Sequence, residues 1–284
     1  MENKDFTIFI LSHGRADKVH TVEAIRKAGY TGSFHIVIDN EDKTADKYYS
    51  KYGEKVVMFD KADVASRTDE FDNFGDRRTI IYARNACFEI AEKLGIKYFL
   101  QFDDDYTGFY YKLVINGDAV SKPITDLGAV IQRTLDYYIA TPALTSIAFA
   151  QGGDFIGGID NGAGIYRFSQ RKAMNSFFCS TERPFKFIGR INEDVNTYTS
   201  FQSKGNIFLT VNCICLMQKA TQKNKGGMSE MYLSSGTYVK SFYSVICAPS
   251  AVTISQMKTS NGRLHHSIDW ERVVPMILDE KHKK

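Results

Sequence analysis

The first hundred residues alternate between short apolar runs and segments with helical periodicity. The continuous apolar runs lie at 6–11, 34–38, 55–59 and 98–102. Between the last two runs, apolar residues recur at helical spacing at Ile80, Ala83, Cys87, Ala91 and Leu94. Continuous apolar strands separated by helices are typical of a parallel sheet that is covered on both faces. We therefore predict an α/β fold with a doubly wound, mostly parallel sheet and helices on both faces.

Beyond residue 105 the pattern becomes mixed, so we expect a mixed C-terminal half. Asn116-Gly117 is a hairpin turn signal. Further helices are predicted at 126–140, 193–203, 228–242 and 269–278, further strands at 146–150 and 207–217, and loops at 152–164 and 218–227. No repeat or linker divides the chain. We predict a single domain over residues 1–284, with halves at 5–115 and 116–284.

Composition and charge limit the class of protein and the partners that the sequence predicts. Hydrophobic residues make up 43% and charged residues 24%, as in an ordinary globular protein. A net charge of only +3 means that a nucleic-acid partner would need a local basic patch. The five cysteines show no zinc or disulfide pattern. With no signal peptide at the charged start and no apolar run near the ~20 residues of a membrane span, we expect a cytoplasmic protein and no membrane.

Three adjacent carboxylates, Asp103, Asp104 and Asp105, directly follow the fourth apolar run. The carboxyl end of a parallel strand is where open α/β sheets bind ligands. The mutual repulsion of the carboxylates calls for a counter-charge, and oxygen ligands suit Mg²⁺ or Mn²⁺. Alternation along an extended chain directs Asp103 and Asp105 to the same side. We predict that these two hold a divalent metal; a solvated acidic turn is the alternative.

Other polar residues are placed to surround a ligand at the same edge. Ser12 and Arg15 follow the first apolar run and Asp39 ends the second, so a phosphate, ribose or base would lie among them. The alternative for Ser12 is capping of the first helix. Arg84 and Asn85 lie on the helix before the aspartates, where they would organise the carboxylates or contact the ligand. A buried ion pair or a helix–sheet contact is the alternative.

An acidic pair, Glu193-Asp194, opens one of the predicted helices. Carboxylates in a first turn are stabilised by the helix dipole, which is the simpler interpretation. The functional interpretation is a general base, for which we choose Asp194 first and Glu193 second.

Two adjacent histidines, His265 and His266, come late in the chain after a polar stretch. Either can complete a metal shell begun by the aspartates. Two surface histidines are the simpler alternative.

In chain order, these features resemble a GT-A glycosyltransferase. That fold has a donor site at its strand ends, an Asp-x-Asp metal motif, a downstream acidic pair and a late histidine. The hexapeptide 189–194, Gly-Arg-Ile-Asn-Glu-Asp, is similar to the signature of the phage TET-associated glycosyltransferases, also called GREIN-domain proteins. The closing segment 264–270 also fits that group. One departure is that Ile191-Asn192 follows Arg190 directly, where the family name suggests Glu-Ile-Asn.

The resemblance implies a metal-dependent enzyme that moves a sugar from a UDP-sugar to a hydroxyl group on a modified pyrimidine in DNA, of the 5-hydroxymethylcytosine type. The metal would be Mn²⁺ or Mg²⁺. Residues 5–115 would bind the nucleotide sugar and residues 116–284 the acceptor. Asp103 would also contact the donor ribose, Asp194 would be the base, and His265 or His266 the late metal ligand. A phage origin would place the enzyme in the host cytoplasm.

A DNA acceptor also requires cationic contacts to the phosphate backbone. The acceptor-binding candidates are Arg190, Lys219, Lys223 and Lys225, with Arg167, Arg171 and Lys172 as further basic residues. Solvated loop lysines are the simpler interpretation. Other functions stay open: a glycosyltransferase for glycans or proteins, a sugar-nucleotide nucleotidyltransferase, or a nucleic-acid-binding module with a degenerate site.

Overall fold

A nine-stranded sheet forms the centre of the computed structural model, which describes residues 4–152, 170–218, 236, 238–256, 264–274 and 280. The strands are β1 (Phe6–Leu11), β2 (Phe34–Asp39), β3 (Val56–Phe59), β4 (Tyr98–Asp103), β5 (Tyr106–Ile115), β6 (Asp118–Pro123), β7 (Leu144–Gln151), β8 (Phe177–Ser180) and β9 (Ile207–Gln218). Two further strands, β10 (Val252–Gln256) and β11 (Leu264–Ile268), pair with each other in a separate antiparallel ribbon.

Helices connect these strands. They are α1 (His20–Lys27), α2 (Ala45–Tyr52), α3 (Lys61–Ser66), α4 (Ile81–Lys93), α5 (Leu127–Ala140), α6 (Glu193–Gln202), α7 (Val239–Cys247) and α8 (Trp270–Val273). Short 3-10 turns lie at Ala16–Lys18 and Gly53–Lys55. No helix in the described ranges is long and apolar enough to cross a bilayer.

The strand order is β3-β2-β1-β4-β8-β7-β9-β5-β6. The first four strands are parallel neighbours, β8 runs antiparallel to β4 and β7, β9 is parallel to β7, and β5 is antiparallel to both β9 and β6. The predicted α/β class, with a parallel first half and a mixed second half, is confirmed. Strands from both halves share one sheet, and the predicted boundary at residue 115 falls at the turn of the β5–β6 hairpin.

The core lies on both faces of this sheet. β1 is buried along its whole length, and its residues alternate between two apolar clusters: Ile8 and Ile10 face one, Phe9 and Leu11 the other. Helices α1 and α5 contribute to the first cluster, while α4 and α6 contribute to the second. Burial on both faces explains why these strands read as continuous apolar runs in the sequence.

Most predicted elements lie where the pattern placed them. The hairpin turn is formed by Asn116 and Gly117, both at positive φ, as a two-residue turn of this kind requires. Three features differ. In the described residues α7 begins only at Val239 and runs past 242, the final helix covers only Trp270–Val273, and the β10–β11 ribbon was not predicted. The predicted loops at 152–164 and 218–227 lie almost wholly outside the described residues.

Candidate active site

The carboxyl ends of β1, β2 and β4 meet at one edge of the sheet, which we call the donor edge (residues 12–15, 39–42 and 103–105). The Ser12 hydroxyl donates to Asp104 Oδ2 at 2.6 Å, and Arg15 Nη1 donates to Asp104 Oδ1 at 2.9 Å. Asp104 is 3% exposed, so its carboxylate is a buried anchor for the turn after β1. Ser12 and Arg15, predicted as ligand contacts, are thus held by Asp104 at this edge.

Asp39, at the end of β2, lies between two basic side chains that the sequence analysis did not select. His13 Nδ1 is 2.7 Å from Asp39 Oδ2, and Lys61 Nζ is 3.4 Å from Oδ1. Since a carboxylate only accepts, His13 Nδ1 carries the proton in this contact. Burial acts to raise the pKa of Asp39, but the His13 hydrogen bond and the charges of His13 and Lys61 outweigh it and lower that pKa. Asp39 therefore stays ionised.

Arg84 joins the donor edge to the start of α6. It is 1% exposed; Nη2 lies 3.1 Å from Asp103 Oδ1, and Nε lies 2.9 Å from Glu193 Oε1. The guanidinium carbon is 5.2 Å from the ring centre of Phe177 and 5.6 Å from that of Phe187. The structure thus brings Arg84, Asp103 and Glu193 together across 109 residues of sequence.

Negative charge around Arg84 exceeds what one guanidinium balances. Burial raises the pKa of Asp103 to about 7; Arg84 opposes this shift, while Asp105, Glu193 and Asp104 add to it. The side chain of Asp103 is still 19% exposed, so a ligand can reach it. The carboxylates of Asp103 and Asp105 therefore fit a divalent cation, which would supply the missing charge.

Asp194 follows Glu193 in the first turn of α6 and is buried. Burial, and next the negative charge of Glu193, raise the pKa of Asp194 to about 7, against the opposing effects of Arg84 and Lys240. One carboxylate oxygen accepts the N–H of Val195 at 2.7 Å. A carboxyl group that titrates near neutral pH suits proton abstraction.

Asn85, the neighbour of Arg84, lies apart from the aspartates. Its Oδ1 accepts the N–H of Phe187 at 2.8 Å, and its Nδ2 donates to the carbonyl of Phe187 at 3.1 Å. It also lines a cavity of about 250 Å³ with Val64 and Phe185. The amide of Asn85 therefore holds the 185–187 segment, which is not part of the sheet, against α4.

His265 and His266 lie side by side on β11, with ring centres 4.1 Å apart. Burial lowers the pKa of His266 to about 3, and the charges of His265, Lys240 and Lys172 add to this shift. His266 is therefore a neutral imidazole beside two lysines. No group of three or more acidic, histidine or cysteine side chains in the described part of the chain is arranged to hold a metal, so the four predicted ligands are not assembled.

Of the acceptor-binding candidates, only Arg190 lies within the described residues. Arg190 is 3% exposed, and its Nε donates to Asp72 Oδ2 at 2.8 Å. Buried against its own chain, Arg190 has no surface to offer an acceptor. Arg171 is also buried. Lys219, Lys223, Lys225 and Arg167 lie outside the described residues.

Four residues at the site were not selected as site residues from the sequence: His13, Lys61, Asp72 and Tyr243. His13 stands within the polar turn after the first apolar run, and Lys61 follows the third run, so their positions after strand ends were a usable signal. Asp72 and Tyr243 are 171 residues apart and meet only in space. No local pattern links them.

Carboxylates at the ends of parallel strands, bridged by a buried arginine to an acidic helix start, suit an enzyme that binds a nucleotide-linked substrate. A match to a family model assigns the class: the protein is a glycosyltransferase. The family model of the TET-Associated Glycosyltransferases matches residues 6–227, and the chain belongs to this family. The resemblance seen in the sequence is confirmed. Membership favours sugar transfer over the nucleotidyltransferase and binding-module alternatives.

Two solved structures show a distant likeness. Glucosyl-3-phosphoglycerate synthase from Mycobacterium tuberculosis, in complex with Mn²⁺, uridine diphosphate and phosphoglyceric acid, is 10% identical at a TM-score of 0.42, over 97% of this chain and 89% of that one. A CMP:2-keto-3-deoxy-manno-octonic acid synthetase complexed with CTP is 11% identical at a TM-score of 0.29; the match spans about half of each chain, 52%. Neither likeness bears on the function of this chain. No curated protein matches it.

Proposed function

We propose that this enzyme transfers a sugar from a UDP-sugar to a hydroxyl group of a modified pyrimidine in DNA, of the 5-hydroxymethylcytosine type. The observation that carries the proposal is the bridge from Asp103 through Arg84 to Glu193, beside Asp194. It joins the donor edge to the candidate base in one site. The DNA acceptor is supported by the resemblance noted in the sequence, which links this family to hydroxylated pyrimidines.

The donor would lie along the donor edge. Asp39, kept ionised between His13 and Lys61, would accept hydrogen bonds from the base or ribose, and Asp103 would contact the ribose. Arg84 Nη1 is buried and has no hydrogen-bond partner among the described residues. It can therefore donate a hydrogen bond to an oxygen of the nucleotide sugar. Asn85 is hydrogen-bonded to the backbone of Phe187 through both amide atoms, so it would not contact the donor.

Asp103 and Asp105 would hold Mn²⁺ or Mg²⁺, and the bound ion would neutralise charge on the leaving diphosphate. The fit rests on the excess of carboxylates around Arg84. His265 or His266 would become a metal ligand only if β11 moved toward the aspartates, because no group of three or more possible ligands is assembled among the described residues.

Asp194 would act as the base. In an inverting transfer it takes the proton of the acceptor hydroxyl while that oxygen bonds to the anomeric carbon. The bond from the anomeric carbon to the diphosphate breaks, and UDP leaves with the electron pair. Glu193 is the weaker choice, since its Oε1 is already engaged by Arg84.

Two lysines lie near the histidines, and one of them also lies near the base. The charge of Lys240 lowers the pKa of Asp194, and the charges of Lys240 and Lys172 lower the pKa of His266. They are suited to contact phosphates of a DNA strand whose target base has left the stack. Lys219, Lys223 and Lys225 would add to this surface.

The test is to incubate the protein with hydroxymethylated or unmodified DNA, a panel of UDP-sugars, and Mn²⁺, Mg²⁺ or a chelator, and then to weigh the nucleosides. We expect a gain of one sugar mass on hydroxymethylated DNA only, and none with the chelator. Asp194→Asn is the matched inactive control. Donor consumption with a glycan or protein acceptor, and no mass gain on any DNA, would overturn the proposed acceptor.

A further inference from the structure

We propose that Arg190, Asp72 and Tyr243 form a clamp that positions the segment 189–194, which we call the base segment, and so holds Glu193 and Asp194 in place for proton transfer. Arg190 is then a positioning residue rather than an acceptor contact. The inference rests on the proposed function only for the catalytic role of these two carboxylates. The arrangement of the clamp itself is independent of the acceptor.

Three parts of the chain meet in the clamp. Asp72 belongs to the segment between α3 and α4, Arg190 to the base segment, and Tyr243 to α7. Arg190 Nε donates to Asp72 Oδ2 at 2.8 Å, and Nη2 donates to the Tyr243 hydroxyl oxygen at 3.1 Å. The Tyr243 hydroxyl donates to the same Asp72 oxygen, which closes a triangle. Each member therefore contacts the other two.

The main chain of the base segment is fixed in the same region. The N–H of Gly189 donates to the carbonyl of Asp69 at 2.7 Å, and the N–H of Arg190 donates to the carbonyl of Glu70 at 2.9 Å. The carbonyl of Arg190 accepts the Thr79 hydroxyl at 2.6 Å. The segment between α3 and α4 thus holds both the side chain and the backbone of residue 190.

The conformation of the base segment explains why it needs holding. Gly189 has φ +78°, and a Cβ there would lie 2.2 Å from Asn196 Nδ2. Asn192, immediately before Glu193, has φ +62° and is held by a hydrogen bond from its Nδ2 to Ser244 Oγ at 2.6 Å. The left-handed region is strained for residues other than glycine, although less so for asparagine than for most, and such a conformation persists when its surroundings fix it. α7 supplies this support through Tyr243 and Ser244.

The positive charge of Arg190 is balanced by carboxylates of its own chain. The buried guanidinium lies against Asp72 and, at 3.6 Å, Asp76. Desolvated ion pairs of this kind impose geometry, since losing one partner leaves the other charge buried. A shift of about 1 Å in a catalytic group can reduce rate by a factor of about 100. The clamp therefore acts on catalysis through position.

The test uses three conservative variants, Tyr243→Phe, Asp72→Asn and Arg190→Lys, each in the full chain. We expect kcat for sugar transfer to fall about tenfold or more, as for a displaced catalytic group. KM for the UDP-sugar should stay within about twofold, because the donor edge has its own contacts. The double variant Asp72→Asn/Tyr243→Phe should lose little more than the worse single variant, as expected for one coupled unit. Tyr137→Phe and Arg133→Lys, on the exposed face of α5, are the matched controls.

Hydrogen exchange of residues 188–196 is measured in parallel and needs no acceptor. Faster exchange in Tyr243→Phe than in Tyr137→Phe supports the clamp, and equal exchange overturns it. A parallel loss of kcat, donor KM and thermal stability would also overturn it, since that pattern indicates general unfolding. If the wild-type protein uses another acceptor or none, the proposed function fails while the exchange result still decides the clamp.

Discussion

The donor edge and the base segment are built in different ways. At the donor edge, neighbouring parallel strands end side by side, and their polar residues meet as a consequence of the sheet: Ser12 and Arg15 on Asp104, His13 on Asp39. The base segment has no such frame. Its position depends on Arg84 reaching Glu193 across 109 residues and on Asp72 meeting Arg190 across 118. Parallel strand ends bring polar residues together as a consequence of the sheet, whereas the base segment is held by side chains from distant parts of the chain.

The carboxylates of the site also differ in how far neighbouring positive charge balances them. Asp39 lies against two basic side chains, His13 and Lys61, and its pKa is lowered. The pKa values of Asp103 and Asp194 are raised to about 7, because burial and the neighbouring carboxylates outweigh the positive charge of Arg84. Neighbouring side chains therefore balance the charge of Asp39 fully, and those of Asp103 and Asp194 only in part.

The largest effect should come from Asp105→Ala. We expect sugar transfer to be lost because the metal would lose a carboxylate ligand, while the thermal midpoint stays close to wild type. Asp118→Ala, at an exposed position after the β5–β6 turn, is the control. Transfer assays over a Mn²⁺ series measure the effect. Retained activity in Asp105→Ala with metal added would end the metal assignment.

Asp194→Asn should lower the rate of transfer by a factor of about 100 to 10,000, the usual contribution of a general base. In the wild-type enzyme, kcat/KM should rise with pH through a midpoint near 7, as Asp194 ionises. The variant should lack this rise. A pH–rate profile with the same midpoint in both proteins would assign the titration to another group.

The same substitution should change the pH dependence of stability. Because the folded-state pKa of Asp194 is raised from 3.8 to about 7, the folded protein binds this proton more tightly, and its stability falls as pH rises across that window. Asp194→Asn removes the penalty, so it should be more stable than wild type at pH 8 and gain least below pH 4. Urea unfolding, followed by fluorescence of Trp270, the single tryptophan, measures this difference.

Arg84→Met should destabilise the fold by about 3–5 kcal/mol, because it leaves Asp103 and Glu193 buried without their cation. Adding Glu193→Gln should recover part of the loss. Urea unfolding of both variants, beside the exposed control Arg133→Met, gives the free energies. Equal stability of Arg84→Met and wild type would mean that the two regions are not joined through this guanidinium.

The smallest effect should come from Ser12→Ala at the donor edge. It removes two buried hydrogen bonds, one to Asp104, which still keeps Arg15, and one with the Tyr48 hydroxyl, so we expect a loss of about 2 kcal/mol in the free energy of unfolding. A loss as large as that of Arg84→Met would show that the donor edge is as dependent on single contacts as the base segment.

The sequence was informative where a residue's role follows from its place on a strand. Runs buried on both faces identified β1 to β4, and the residues that end them identified Ser12, Asp39 and Asp103. Arg190 was misplaced because its hexapeptide does not show that Asp72 and Tyr243 close around it from 118 and 53 residues away. The ribbon of β10 and β11 was missed because its short strands are half polar and lie outside the main sheet.

The contact between Asp72 and Tyr243, 171 residues apart, also determines when this part of the protein can fold during synthesis. Chains emerge from the ribosome N-terminus first, and domains generally begin to fold in that order. The strands of the donor edge are complete by residue 103, yet Arg84 must wait for Glu193, and Asp72 for α7. We expect catalytic competence to be the last property acquired. A nascent chain that has not reached residue 243 would not use up nucleotide sugar.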